Sequence, residues 1–175
     1  MDTDPRQDPP LQAAETAALS AFLDYQRATL LMKAEGLTQE QLTTPTVPTS
    51  ELTLAGLLKH LALVEDSWFQ EVFLGQPPRE PWASAPWDED RDWEFHTAPD
   101  DDPAYLVQLY RDAIGRSRTV VAAAESLDEL SVKADKRLGT PYSLRWILLH
   151  MIEETARHCG HADLLREAID GQTGE

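Results

Sequence analysis

From Ser143 to Gly171 the chain carries one sustained helical periodicity, and its core-facing ladder reads Ile147, Met151, Glu154, His158, His161, Leu165. Steps of four and three keep these positions on one helical face. Three consecutive rungs are nevertheless titratable. Burying an ionised carboxylate without a partner is expensive, so a helix like this one needs neighbours that give Glu154 and the two histidines something to bind. Ser143 suits the N-cap, and Gly171 is a stop signal.

Three further segments share the helical period. Residues from about Leu11 to Glu35 place Leu19, Phe22, Leu23 and Leu30 on one side before Gly36. Thr53 opens a second helix with Leu57, His60, Leu61, Val64 and Trp68 along one stripe, ended by Gly75 and Pro77. The sequence "DDP" at 101–103 reads as an Asp cap followed by Pro in the first turn of a third helix that ends near Ala124 to Ser126. No segment shows a convincing strand alternation. The expectation is an all-α fold, a four-helix bundle with a long crossover between helices 2 and 3 that lets those two run parallel. That crossover, Gly75 to Asp102, is rich in proline and acid, holds Trp82, Trp87 and Trp93, and reads as a partly packed loop.

With 175 residues and 42% hydrophobic composition, one domain over 11–171 behind a flexible N-terminus of residues 1–10 is expected. The net charge of −16 argues against nucleic acid and anionic membranes as partners. The only cysteine, Cys159, rules out an intramolecular disulfide and a cysteine-rich zinc site. With no apolar run of membrane-spanning length and an acidic, proline-rich start, the expected location is cytoplasmic, as monomer or homodimer.

Positions four apart on a helix differ by about 40° and stand about 6 Å apart along the axis. Glu154 and His158 can therefore aim at one point, as can His150 with Glu154, or His158 with His161. His150 and His158, about 12 Å apart along the axis, cannot share an ion. A histidine from a facing helix would complete the three-ligand set that catalytic zinc uses, with one position open. His60 is the histidine on another helix's apolar stripe.

"LTLAGLLKHLALVEDSWF" from Leu52, "WILLHMIEETARHCGHADLLREAIDG" from Trp146 and "YQRATLLMKAEGLTQEQL" from Tyr25 together resemble the mycothiol S-transferase branch of the DinB-like four-helix-bundle superfamily. The resemblance runs from about Ala18 to Gly171. It implies a divalent metal, zinc by preference, held by His60, Glu154 and His158. It also implies mycothiol or another low-molecular-weight thiol as cosubstrate, activated as a metal-bound thiolate and transferred to an electrophilic small molecule in detoxification. Many superfamily members have a second His where this chain has Glu154 and Gln where it has His161, while a Glu at the first of these positions is also the arrangement of the related mycothiol-dependent maleylpyruvate isomerases. A thiol-dependent isomerase and a non-catalytic metal- or ligand-binding stress protein are the alternative readings.

The remaining candidates sit around that centre. His161 reads as a proton acceptor or as a neighbour that orients a ligand. Trp68, on the His60 stripe, and Arg27, which interrupts the first apolar stripe, are the candidates for contact with the thiol cosubstrate. His150 is expected to be structural, and Cys159 a packed, inert thiol. Lys133, Lys136 and Arg137 form a basic cluster expected to be solvated.

Overall fold

The computed structural model describes residues 6–173. Four long helices dominate it: α1 (Glu15–Ala34), α3 (Leu54–Glu65), α5 (Pro103–Ala123) and α6 (Leu144–Asp170). Two short helices, α2 (Gln39–Thr43) and α4 (Trp93–Thr97), lie in the connections. The helix starts follow from their caps. Thr53 Oγ1 accepts from the Gly56 amide, the Asp102 carboxylate from Ala104 and Tyr105, and Ser143 Oγ from Trp146. At the far end of α6, Gly171 takes the left-handed conformation that closes a helix.

Contacts between helices fix their directions. Arg145 pairs with Glu15, Cys159 reaches the Gln26 carbonyl, and Arg166 donates to the carbonyls of Lys33 and Glu35, so α1 and α6 run parallel. Lys59 meets Asp101 just before α5, and Asp66 meets Arg116 well along it, so α3 and α5 also run parallel. His60 beside His158, with Trp68 beside His150 and Trp146, makes α3 antiparallel to α6. The long crossover lets the chain leave α3 and return in the same direction.

Three features depart from the sequence expectation. First, a two-stranded antiparallel sheet, β1 (Leu130–Ala134) with β2 (Pro141–Ser143), precedes α6. Its polarity is inverted: Leu130 and Val132 face solvent while Ser131 is buried. Alternation arguments look for the opposite pattern. Second, α3 continues as a π-helix over Asp66–Phe73, with the Leu74 amide reaching the Phe69 carbonyl five residues back. Third, the crossover contains α4 and is well packed. Trp82 is 1% exposed and donates its indole N–H to Asp66, and Trp87 donates to the Trp82 carbonyl. Helix α1 also starts at Glu15, later than Leu11, and Phe22 faces outward.

Apolar side chains form two clusters. One gathers Leu30, Leu57, Leu61, Tyr110 and Cys159; the other Leu23, Phe69, Val120, Ile147 and Met151. Of the expected flexible N-terminus, residues 1–5 lie outside the described residues, and Arg6 donates to Thr29 Oγ1 at 3.1 Å. Among the described residues no helix is long and apolar enough to cross a membrane.

Candidate metal centre

His60 projects from the middle of α3, and Glu154 and His158 stand one turn apart on α6. Because the two helices cross antiparallel, donor atoms from all three residues lie within 4.8 Å of one another. His158 Nε2 is 3.2 Å and His60 Nε2 3.6 Å from the same oxygen, Glu154 Oε1. Two ligands each about 2.1 Å from one zinc ion at a tetrahedral angle would stand about 3.4 Å apart. The spacing of this His–Glu–His set therefore suits one ion, and no fourth His, Cys, Asp or Glu of the described residues joins the group.

The other ring nitrogens have partners of their own. His60 Nδ1 is 2.9 Å from Glu94 Oε1, on α4, and His158 Nδ1 is 3.3 Å from His161 Nδ1. Phe95 stacks on the face of His60, with ring centroids 4.8 Å apart. Beside His60, Lys59 is buried and reaches Thr97 and Asp101, with its ammonium over the Trp93 ring. Two adjacent residues of α3 thus fasten the 93–101 segment against the site.

Burial works against charge on both α6 residues. It pushes the Glu154 carboxyl up, but His158 and His60 more than offset this and leave it below the usual value. Burial, first, and then His60 push the His158 imidazole down, and Glu154 opposes them without reversing the shift. An ionised glutamate beside a neutral imidazole is the protonation pattern a divalent cation requires.

The other sequence candidates lie elsewhere. Trp68, on the π-helical segment, joins an aromatic cluster with Tyr142, Trp146 and His150, one turn before Glu154 on α6. His150 stacks on Trp146 at an interplanar angle of 18°. Arg27 is buried and holds Glu65 through two hydrogen bonds of 2.6 Å, with a third to Asp24. Cys159 is buried, its Sγ 3.2 Å from the Gln26 carbonyl. Arg157 pairs with Glu153 on the surface. Lys133 reaches Glu71 from the edge of the hairpin.

Sequence reasoning did not single out Glu94 or Phe95. Glu94 stands at the end of the acidic run "DEDRDWE", where nothing in composition separates one buried carboxylate from its solvated neighbours. The signal that existed was Trp93 and Phe95 flanking it, two aromatic residues in a stretch otherwise dominated by acid.

Among solved structures, the chain is similar to a crystal structure of a conserved protein from Enterococcus faecalis. The two share 17% sequence identity, with a TM-score of 0.70 over 92% of this chain and 100% of that one. At that identity the likeness shows the fold alone. No curated protein matches the sequence. The family model for mycothiol-S-transferases matches residues 18–171, the stretch that runs from early α1 to the cap of α6 and contains every residue of the His–Glu–His cluster, and the chain belongs to that family.

Proposed function

We propose that the protein is a metal-dependent S-transferase that joins mycothiol, or a closely related low-molecular-weight thiol, to an electrophilic small molecule. The observation that carries the reading is the convergence of His60, Glu154 and His158 within 4.8 Å from two antiparallel helices. Family membership supplies the transferase class and the thiol. His60, Glu154 and His158 would hold a divalent cation, zinc by donor type, and such an ion would favour the thiolate form of a bound thiol.

The chain's own groups do the holding and orienting. His60 and His158 present Nε2 toward Glu154 Oε1. His161 accepts the Nδ1 proton of His158 and so keeps that ring's lone pair on the inner nitrogen. Trp68 and His150 pack against each other one turn before Glu154, where an apolar electrophile could lie against the rings. With three donors rather than four, the centre is of the open kind that admits a substrate, which favours an enzyme over a structural site. The four long helices form a DinB-like four-helix bundle with its long crossover between the second and third, a single domain over 11–171 acting in the cytoplasm in detoxification.

The test pairs metal analysis with thiol conjugation on untagged protein. About one divalent ion per chain is expected in the wild type. Its loss, together with a fall of mycothiol conjugation to the uncatalysed rate, is expected in folded His60→Ala, Glu154→Ala and His158→Ala. Full conjugation by chelated, metal-free protein would overturn the reading.

A further inference from the structure

We propose that Glu94 is the positioning residue for His60: it holds the ring proton on Nδ1 and so leaves Nε2 as the lone-pair nitrogen on the Glu154 side. This role rests on the reading of His60, Glu154 and His158 as a metal centre, and it assigns the crossover a part in building that centre.

A carboxylate offers only acceptors. The 2.9 Å contact between Glu94 Oε1 and His60 Nδ1 therefore requires a proton on Nδ1. On the opposite edge of the ring, Glu154 Oε1 stands 3.6 Å from Nε2, beyond hydrogen-bonding distance. In the neutral ring the two carboxylates do not compete equally, and the nearer one sets the tautomer.

Burial sharpens the argument. Glu94 is 4% exposed, and its Oε2 has no hydrogen-bond partner among the described residues. Its contact with His60 is what compensates the carboxylate for leaving water. Moving the ring proton from Nδ1 to Nε2 would turn that contact into two facing lone pairs and leave both Glu94 oxygens unsatisfied. Phe95, next in sequence, stacks on the ring face and restricts rotation of the imidazole. Lys59, bound to Thr97 and Asp101, anchors the segment that carries both. A carboxylate behind a ligating histidine fixes its orientation, and loss of such a partner typically lowers metal affinity 10–100-fold.

The experiment reads the imidazole directly. In metal-free protein carrying ¹⁵N-labelled histidine, at a pH where the ring is neutral, His60 is expected as the Nδ1–H tautomer. In folded Glu94→Leu it is expected to shift toward the Nε2–H form that predominates in free imidazole side chains. Chelator competition on the same two proteins is expected to show an affinity for Zn²⁺ roughly 10- to 100-fold lower in the variant. A wild-type ring protonated on Nε2 overturns the proposal without any variant. So does a folded Glu94→Leu protein whose Zn²⁺ affinity stays within about twofold of wild type. If the tautomer responds to Glu94 in a chain that takes up no metal, the positioning of His60 stands and the metal centre is what fails.

Discussion

Cys159 follows a candidate ligand directly, and in a chain read as a thiol transferase it invites the role of nucleophile. One residue along a helix is a turn of about 100°, which takes its side chain away from Glu154 and toward α1. There burial, with Asp163 as a lesser contributor, pushes the thiol up to about 12, and Sγ donates to the Gln26 carbonyl. The thiolate is the reactive form. Raising the thiol from its ordinary 9.0 to about 12 lowers the thiolate fraction near neutral pH roughly a thousandfold. Iodoacetamide should therefore label the native protein at least that much more slowly than the urea-unfolded chain, as followed by intact mass. Labelling at the unfolded rate would show an accessible, activated thiol and reopen a covalent mechanism. The same one-residue rotation made the ladder readable: spacing alone put Glu154 and His158 on one face, and the resemblance chose them over the two competing pairs.

At the level of elements, the helix starts were the most legible part of the fold. Thr53, Asp102 and Ser143 each cap the helix they were expected to cap, because a short polar side chain ahead of an apolar period has few other uses. What the pattern did not carry was contact between distant segments. Glu94 and Phe95 reach His60 across more than thirty positions of chain. The hairpin buries a serine and exposes its aliphatic side chains, and the π-helix leaves no mark in composition.

Gly56 belongs to this scale. It lies in the first turn of α3, where a Cβ would stand 2.8 Å from Phe95 Cδ1. Replacing glycine by alanine inside a helix ordinarily stabilises by about 0.5–1 kcal/mol. Gly115→Ala and Gly160→Ala should show that gain, since a Cβ at either meets nothing within 4 Å. At position 56 the clash outweighs it, because overpacking costs about 1–3 kcal/mol. Gly56→Ala should therefore lower the urea midpoint while the other two raise it. A Gly56→Ala protein as stable as Gly115→Ala would mean that the α4 segment does not press on α3 as described.

Across the whole molecule, every long helix places at least one buried polar residue between its contributions to the two apolar clusters, which makes a polar layer along the chain. Arg27 falls between Leu23 and Leu30 on α1, Glu65 between Leu61 and Phe69 on α3, Ser117 between Ile114 and Val120 on α5, and Thr155 between Met151 and Cys159 on α6. Thr155 also stands next to Glu154, so the layer and the candidate metal centre share a level of the fold. In the sequence, Arg27 was visible only as an interruption, which made it a candidate for the cosubstrate. In the structure it is 4% exposed and its guanidinium is taken up by Glu65 and Asp24, while Glu65 is wholly buried. The two roles predict different damage. If Arg27 serves the fold, Arg27→Met leaves a buried carboxylate unpaired and should cost about 3–5 kcal/mol by urea denaturation. The double variant Arg27→Met, Glu65→Leu should recover most of that loss, since an apolar pair of similar volume can replace a buried ion pair at little cost. A cosubstrate contact would instead leave Arg27→Met within about 1 kcal/mol of wild type, with the loss confined to the KM for thiol. That pattern would place the thiol against α1.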